Sequence, residues 1–202
     1  MNKTIKKLLL SSIMSLFLTG FVCSQNKVAL IEISIKHNED RNELLTKNQL
    51  QRLIKLYDVS KWIFTKKVMI DREAIPHSHP ILTLHTRHLK DDELLLSTFV
   101  HEQMHWFFVQ KNKETFEAVK DLKELFPKVP IGFPGGGDEE STYTHLLVCY
   151  SEYQADKELF GELKARQIME FWSTDHYTWI YQQVLGKERE IGSVIRKYNL
   201  KN

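Results

Sequence analysis

The stretch from Asp92 to about Gln110 constrains this chain more than any other. Its apolar residues recur at helical spacing, Asp91 or Asp92 stands where an N-cap belongs, and neither proline nor glycine interrupts it. Phe99, Val100, Trp106 and Phe107 make the helix apolar around His101, Glu102 and His105, so it must be buried in a core. Residues four apart lie one above the other on a helix. The chain therefore has to bring two imidazoles and a carboxylate into its interior on one helix.

The remaining segments determine what can surround that helix. Val28 to Ile35 and Lys67 to Asp71 read as strands, and Ile81 to His85 as extended chain after an Ile75–Pro80 turn. Helical spacing marks Leu44–Tyr57, Glu114–Phe126, a helix capped by Ser141 and running through Phe160, and then Glu162–Trp172, His176–Leu185 and Glu188–Tyr198. Phe133 to Asp138, with three consecutive glycines, reads as a mobile lip. Strands gather in the first half and helices in the second. That segregation predicts an α+β fold, a small N-terminal sheet with helices followed by a helical C-terminal half.

The N-terminus belongs outside that fold. Lys3, Lys6 and Lys7 precede an apolar stretch from Leu8 to Val22, which predicts a signal peptide over 1–24 and one domain over 25–202. A secreted or periplasmic chain is expected, with a membrane anchor in this segment or lipid attachment at Cys23 as the alternatives. Cys149 is the only other cysteine, so stability rests on packing rather than on an internal disulfide, and Cys149 itself reads as a small buried hydrophobe. The formal charge of +2 includes the N-terminal lysines. It offers nothing to a nucleic acid or an anionic membrane surface. A monomer is expected.

The chemistry lies in His101-Glu102-Gln103-Met104-His105. Two neutral imidazoles on one helix face suit zinc, and the adjacent Glu102 can accept a proton from water held at an open coordination position. This pattern resembles the zincin metallopeptidases. Glu152-Tyr-Gln-Ala-Asp156 resembles the third-ligand segment of their thermolysin-like branch, the gluzincins, with Ser151 where that branch places an asparagine. The resemblance covers about a third of the chain. It implies Glu152 as the third zinc ligand and Asp156 as the partner of the far ring nitrogen of His101. His145 competes for the third place. It lies seven residues before Glu152, roughly 10 Å up the same helix face, so the two do not easily share one metal.

The same resemblance implies His176 and Tyr177 as donors to a developing oxyanion, and His79 to His85 as an edge strand that holds extended substrate. His77, His79, His85 and His88 otherwise read as turn or surface residues. The expectation is a secreted zinc peptidase acting on a peptide or protein substrate, with Glu102 as general base. Two other readings stay open: a zinc amidase acting on a small or cell-wall substrate, and a non-catalytic zinc-stabilised binding protein.

Overall fold

Three short parallel strands, seven α-helices and two short 3-10 helices form the regular structure of the described part of the chain, residues 31–201 of a computed structural model. The expected signal segment, Cys23 and the start of the first strand at Val28 lie outside those residues. No helix among the described residues is long and apolar enough to cross a membrane.

Strand β1 (Glu32–Ile35) leads into helix α1 (Arg41–Leu56), which crosses over to β2 (Lys67–Ile70); β3 (Leu82–Leu84) lies beside β2, giving the order β1-β2-β3. Parallel strands need a crossover connection, which α1 provides between β1 and β2 and residues 71–81 provide without a helix between β2 and β3. Asp40 starts α1 by accepting the backbone N–H of Glu43 at 2.9 Å.

Helix α2 (Asp92–Gln110) begins at Asp91, whose side chain accepts the Leu94 N–H. It packs between the sheet side and the long helix α4 (Glu139–Phe160). Leu95, Leu96, Phe99, Val100 and Met104 of α2 are buried, as are Leu146, Leu147, Val148 and Cys149 of α4. Both helices are buried around much of their circumference because other elements cover them on several sides. Helix α3 (Asn112–Leu125) follows α2 after a single residue, and α5 (Glu162–Asp175), α6 (Thr178–Gly186) and α7 (Glu188–Lys197) close over α4. One continuous apolar core joins sheet and helices.

The α+β expectation holds at this level, with the small sheet first and helices after it. Three local readings change. Asp138 rather than Ser141 caps α4, its carboxylate accepting the Ser141 N–H at 2.7 Å. The glycine loop is tied down: Gly132 and Gly137 pair as a bridge, the Gly136 N–H donates to Thr142 Oγ1 at 2.9 Å, and the Pro134 carbonyl accepts from Trp179. The edge of β3 is also taken, because His77 exchanges both backbone hydrogen bonds with Thr83 (3.1 and 2.8 Å). An extended substrate cannot add there without displacing the chain's own residue.

Candidate metal centre

His101 and His105 stand on consecutive turns of α2 with their Nε2 atoms 3.3 Å apart. From α4, His145 approaches both, its ring centre 4.8 Å from that of His105 and 5.9 Å from that of His101. One ligand nitrogen from each of the three lies within 4.8 Å of the others. All three side chains are buried or nearly so. Burial disfavours the charged imidazolium and pushes them down, His101 to about 3, His105 to about 2 and His145 to about 4. They are therefore neutral at physiological pH, as metal ligation requires.

The hydrogen bonds determine which nitrogens are free. His101 Nδ1 lies 2.8 Å from Glu152 Oε2, and a carboxylate in that contact takes the N–H. His145 Nδ1 lies 2.7 Å from the Ser141 carbonyl, which can only accept. Both residues thus carry their proton on Nδ1 and keep a lone pair on Nε2. His105 has at most one proton to offer two lone pairs. A divalent cation would accept from all three, so the donor set fits a metal such as zinc.

Glu152 therefore occupies a different place from the one the sequence implied. Seven residues do separate it from His145 along α4, but the imidazole of His101 spans that gap, its two nitrogens addressing opposite ends. Glu152 sits on the Nδ1 side, the place expected for Asp156, and His145 joins His101 and His105. Carboxylate support of the far nitrogen fixes the tautomer and raises the basicity of the ligand. The Glu152 carboxylate is held in turn by Ser97 Oγ at 2.7 Å and by the Tyr181 hydroxyl at 2.9 Å. Cys149, buried as expected and with its thiol pushed up by burial, lies beside His101 and Glu152.

Glu102 opens onto a cavity of about 360 Å³ lined also by His101, Thr98, His176, Tyr177, Trp172 and Arg87. Burial, reinforced by the charge of Glu152, raises the Glu102 carboxyl to about 8. His176 and Tyr177 do line this cavity, but the helix expected from His176 starts only at Thr178. His176 is extended and Tyr177 is left-handed, at φ 47° and ψ 37°. That backbone state is costly for an aromatic residue. Here it lays the Tyr177 ring 4.3 Å from that of His145 and parallel to His101 at 6.2 Å. His176 Nδ1 meets Asp175 Oδ2 at 2.8 Å, and Asp175 is paired through its other oxygen with Arg87 at 2.6 Å.

Sequence reasoning missed Ser97, Tyr181, Asp175 and Arg87. Ser97 carried a signal, since it lies one turn before His101 on the same helix, whereas Tyr181 carried none. The glycines were misread as well. A Cβ on Gly136 would lie 2.9 Å from His145 Nδ1 and 2.8 Å from Ser141, so glycine is what lets this loop close against His145. Of the other histidines, His79 stacks on Trp106 at 4.1 Å, and His88 is buried against Trp172 rather than exposed.

Comparison with protein-family models, curated proteins and solved structures returned no match to this chain.

Proposed function

We propose that the protein is a zinc-dependent hydrolase of peptide or amide bonds, with His101, His105 and His145 as the metal-holding residues and Glu102 as general base. The observation that carries this is three neutral imidazoles, two buried and His105 nearly so, whose ligand atoms converge on the helix that also carries Glu102, a carboxylate lining a cavity. The α2 motif remains zincin-like, whereas the three-histidine set departs from the gluzincin pattern. The N-terminal apolar segment supports action outside the cytoplasm.

Bound zinc would polarise a carbonyl and acidify water. The chain's own residues supply the rest. Glu102 takes the proton from water and returns it to the leaving amine. Tyr177, whose phenol burial keeps protonated, and His176, oriented by Asp175, are the donors available to a developing oxyanion. Two of the most exposed large apolar side chains, Ile75 (85%) and Phe133 (70%), stand at the rim of this cavity, and Pro76 and Trp172 continue the apolar wall. That lining supports a substrate with an apolar group beside the scissile bond.

The test pairs metal content with turnover on a peptide library. Glu102→Gln should keep one zinc per chain and lose about 10²- to 10⁴-fold in rate. Undiminished turnover in that variant, or a wild-type chain that holds no zinc, would sink the reading.

A further inference from the structure

Behind the three histidines, the hydroxyl of Ser97 lies between two buried carboxylates, 2.7 Å from Glu152 Oε1 and 2.9 Å from Asp156 Oδ2. Ser97 Oγ also accepts the indole N–H of Trp172 at 3.3 Å. Neither Ser97 nor Asp156 has any exposed surface, and Glu152 has almost none.

A hydroxyl has one proton to give and two lone pairs. Trp172 takes one lone pair. If both carboxylates were ionised, they would compete for the single serine proton. One oxygen–oxygen contact under 3 Å would then hold no hydrogen, an anion facing a lone pair in a low-dielectric interior. The count closes when one more proton is present on the pair.

The surroundings decide which acid carries it. Glu152 receives three donors: Ser97, Tyr181 and the Nδ1–H of His101. Among the described residues Asp156 makes only the Ser97 hydrogen bond, and its Oδ1 has no hydrogen-bond partner. Negative charge settles where the donors are.

We propose that Asp156 is held as the neutral acid and is a positioning residue, donating to Ser97 so that Ser97 in turn donates to Glu152. The chain then runs one way. The Asp156 O–H gives to Ser97 Oγ, the Ser97 O–H gives to Glu152 Oε1, and Glu152 Oε2 takes the Nδ1–H of His101. The Nε2 lone pair of His101 is thereby kept on the His105 and His145 side. Burial and the charge of Glu152 push the Asp156 carboxyl upward, in the same direction as the donor count. The inference rests on that count and stands apart from the hydrolytic reading.

Infrared difference spectroscopy on the purified protein at neutral pH tests it directly. The Glu102→Gln chain, which lacks the other carboxyl raised above neutral pH, should show the carbonyl stretch of a protonated carboxyl group. In that background the band should be lost on adding Asp156→Asn, and should shift when aspartate, but not glutamate, carries a carbon-13 carboxyl. Absence of the band, or a shift with labelled glutamate instead, overturns the assignment. Zinc affinity by chelator competition provides a second arm. Asp156→Asn keeps an N–H donor toward Ser97 and should stay within about threefold of wild type, while Asp156→Val removes it and should weaken zinc about tenfold. Equal weakening in both variants would mean that the aspartate charge is needed, and would reject a neutral Asp156. If the chain binds no zinc at all, the infrared result still decides the proposal.

Discussion

Two clusters in this molecule combine histidine with ligand-type neighbours at the same close range, and they work in opposite ways. His37, Glu43 and Asp71 bring ligand atoms within 4.8 Å of one another, as do His101, His105 and His145. In the first, Glu43 accepts the His37 N–H and Nδ1–H, both at 2.7 Å, and the Arg72 N–H at 3.0 Å. Each of these contacts contains a proton, and Asp71 accepts the Glu73 N–H at 2.9 Å, so the three side chains already have donors between or beside them, and Glu43 clamps the end of β1 to the start of α1. In the second, two lone pairs and at most one proton face one another. Proximity of ligand-type side chains is therefore a weak sign of a metal site. A shortage of protons among close-packed, neutral nitrogens is a stronger one.

The largest contrast should appear in metal content. His145→Ala should abolish stoichiometric zinc after dialysis, while His37→Ala should retain it. Zinc retained by the first variant, or lost by the second, would break the comparison.

Acid should come next, with opposite signs in the two clusters. His101, His105 and His145 have lowered values, so the unfolded chain takes up protons below pH 6.5 that the folded one refuses. In chelator-treated protein, each should cost roughly 1.4 kcal/mol of stability for every pH unit below 6.5 until its folded value is reached. His37 is raised, chiefly by its hydrogen bond to Glu43, so its contribution is fully present below 6.5 and fades as pH rises through the folded value. Glu43 is lowered by its His37 and Arg72 hydrogen bonds against an opposing burial effect, and its contribution is lost only as pH falls from 4.5. Single-residue differences isolate these signs from the raised carboxyl of Glu102 and the lowered His88, which titrate in the same range. In metal-free protein, the stability of wild type relative to His145→Ala should fall between pH 7 and 5.5, and relative to His37→Ala it should rise. A pH-independent difference for His145→Ala in urea unfolding would mean that His145 is not held neutral.

The smallest contrast concerns the two buried glutamates. Glu152→Gln should weaken zinc about 10- to 100-fold through loss of support at His101. Glu43→Gln should leave zinc affinity unchanged and cost about 1.5–3 kcal/mol in urea unfolding, because an amide replaces an acceptor of several N–H groups. Equal effects on zinc would show that the two clusters are coupled.

Particular residues show how far the sequence reaches. The α2 helix, its Asp91 cap and the shared face of His101 and His105 were legible because helical periodicity and capping act within a few residues. The order of strands and helices could be read from pattern for the same reason. Residues 176–177 were not legible. An unbroken helix from His176 is the local preference there, but packing against His145 holds Tyr177 left-handed. Gly136 looked like flexibility and is instead close approach to His145, a distinction that exists only once α4 lies beside the loop.

By itself, then, the sequence determined that a buried helix presents two imidazoles and a carboxylate, that α+β segregation surrounds it, and that His145 and Glu152 compete for the remaining place. Tertiary structure alone placed the two, His145 with His101 and His105, and Glu152 against the Nδ1 of His101. The two residues lie on one face of α4 at different heights, and the His101 ring between them has two nitrogens pointing apart. Which nitrogen meets which residue depends on how α4 crosses α2, across a long stretch of intervening chain, and no local pattern encodes that crossing.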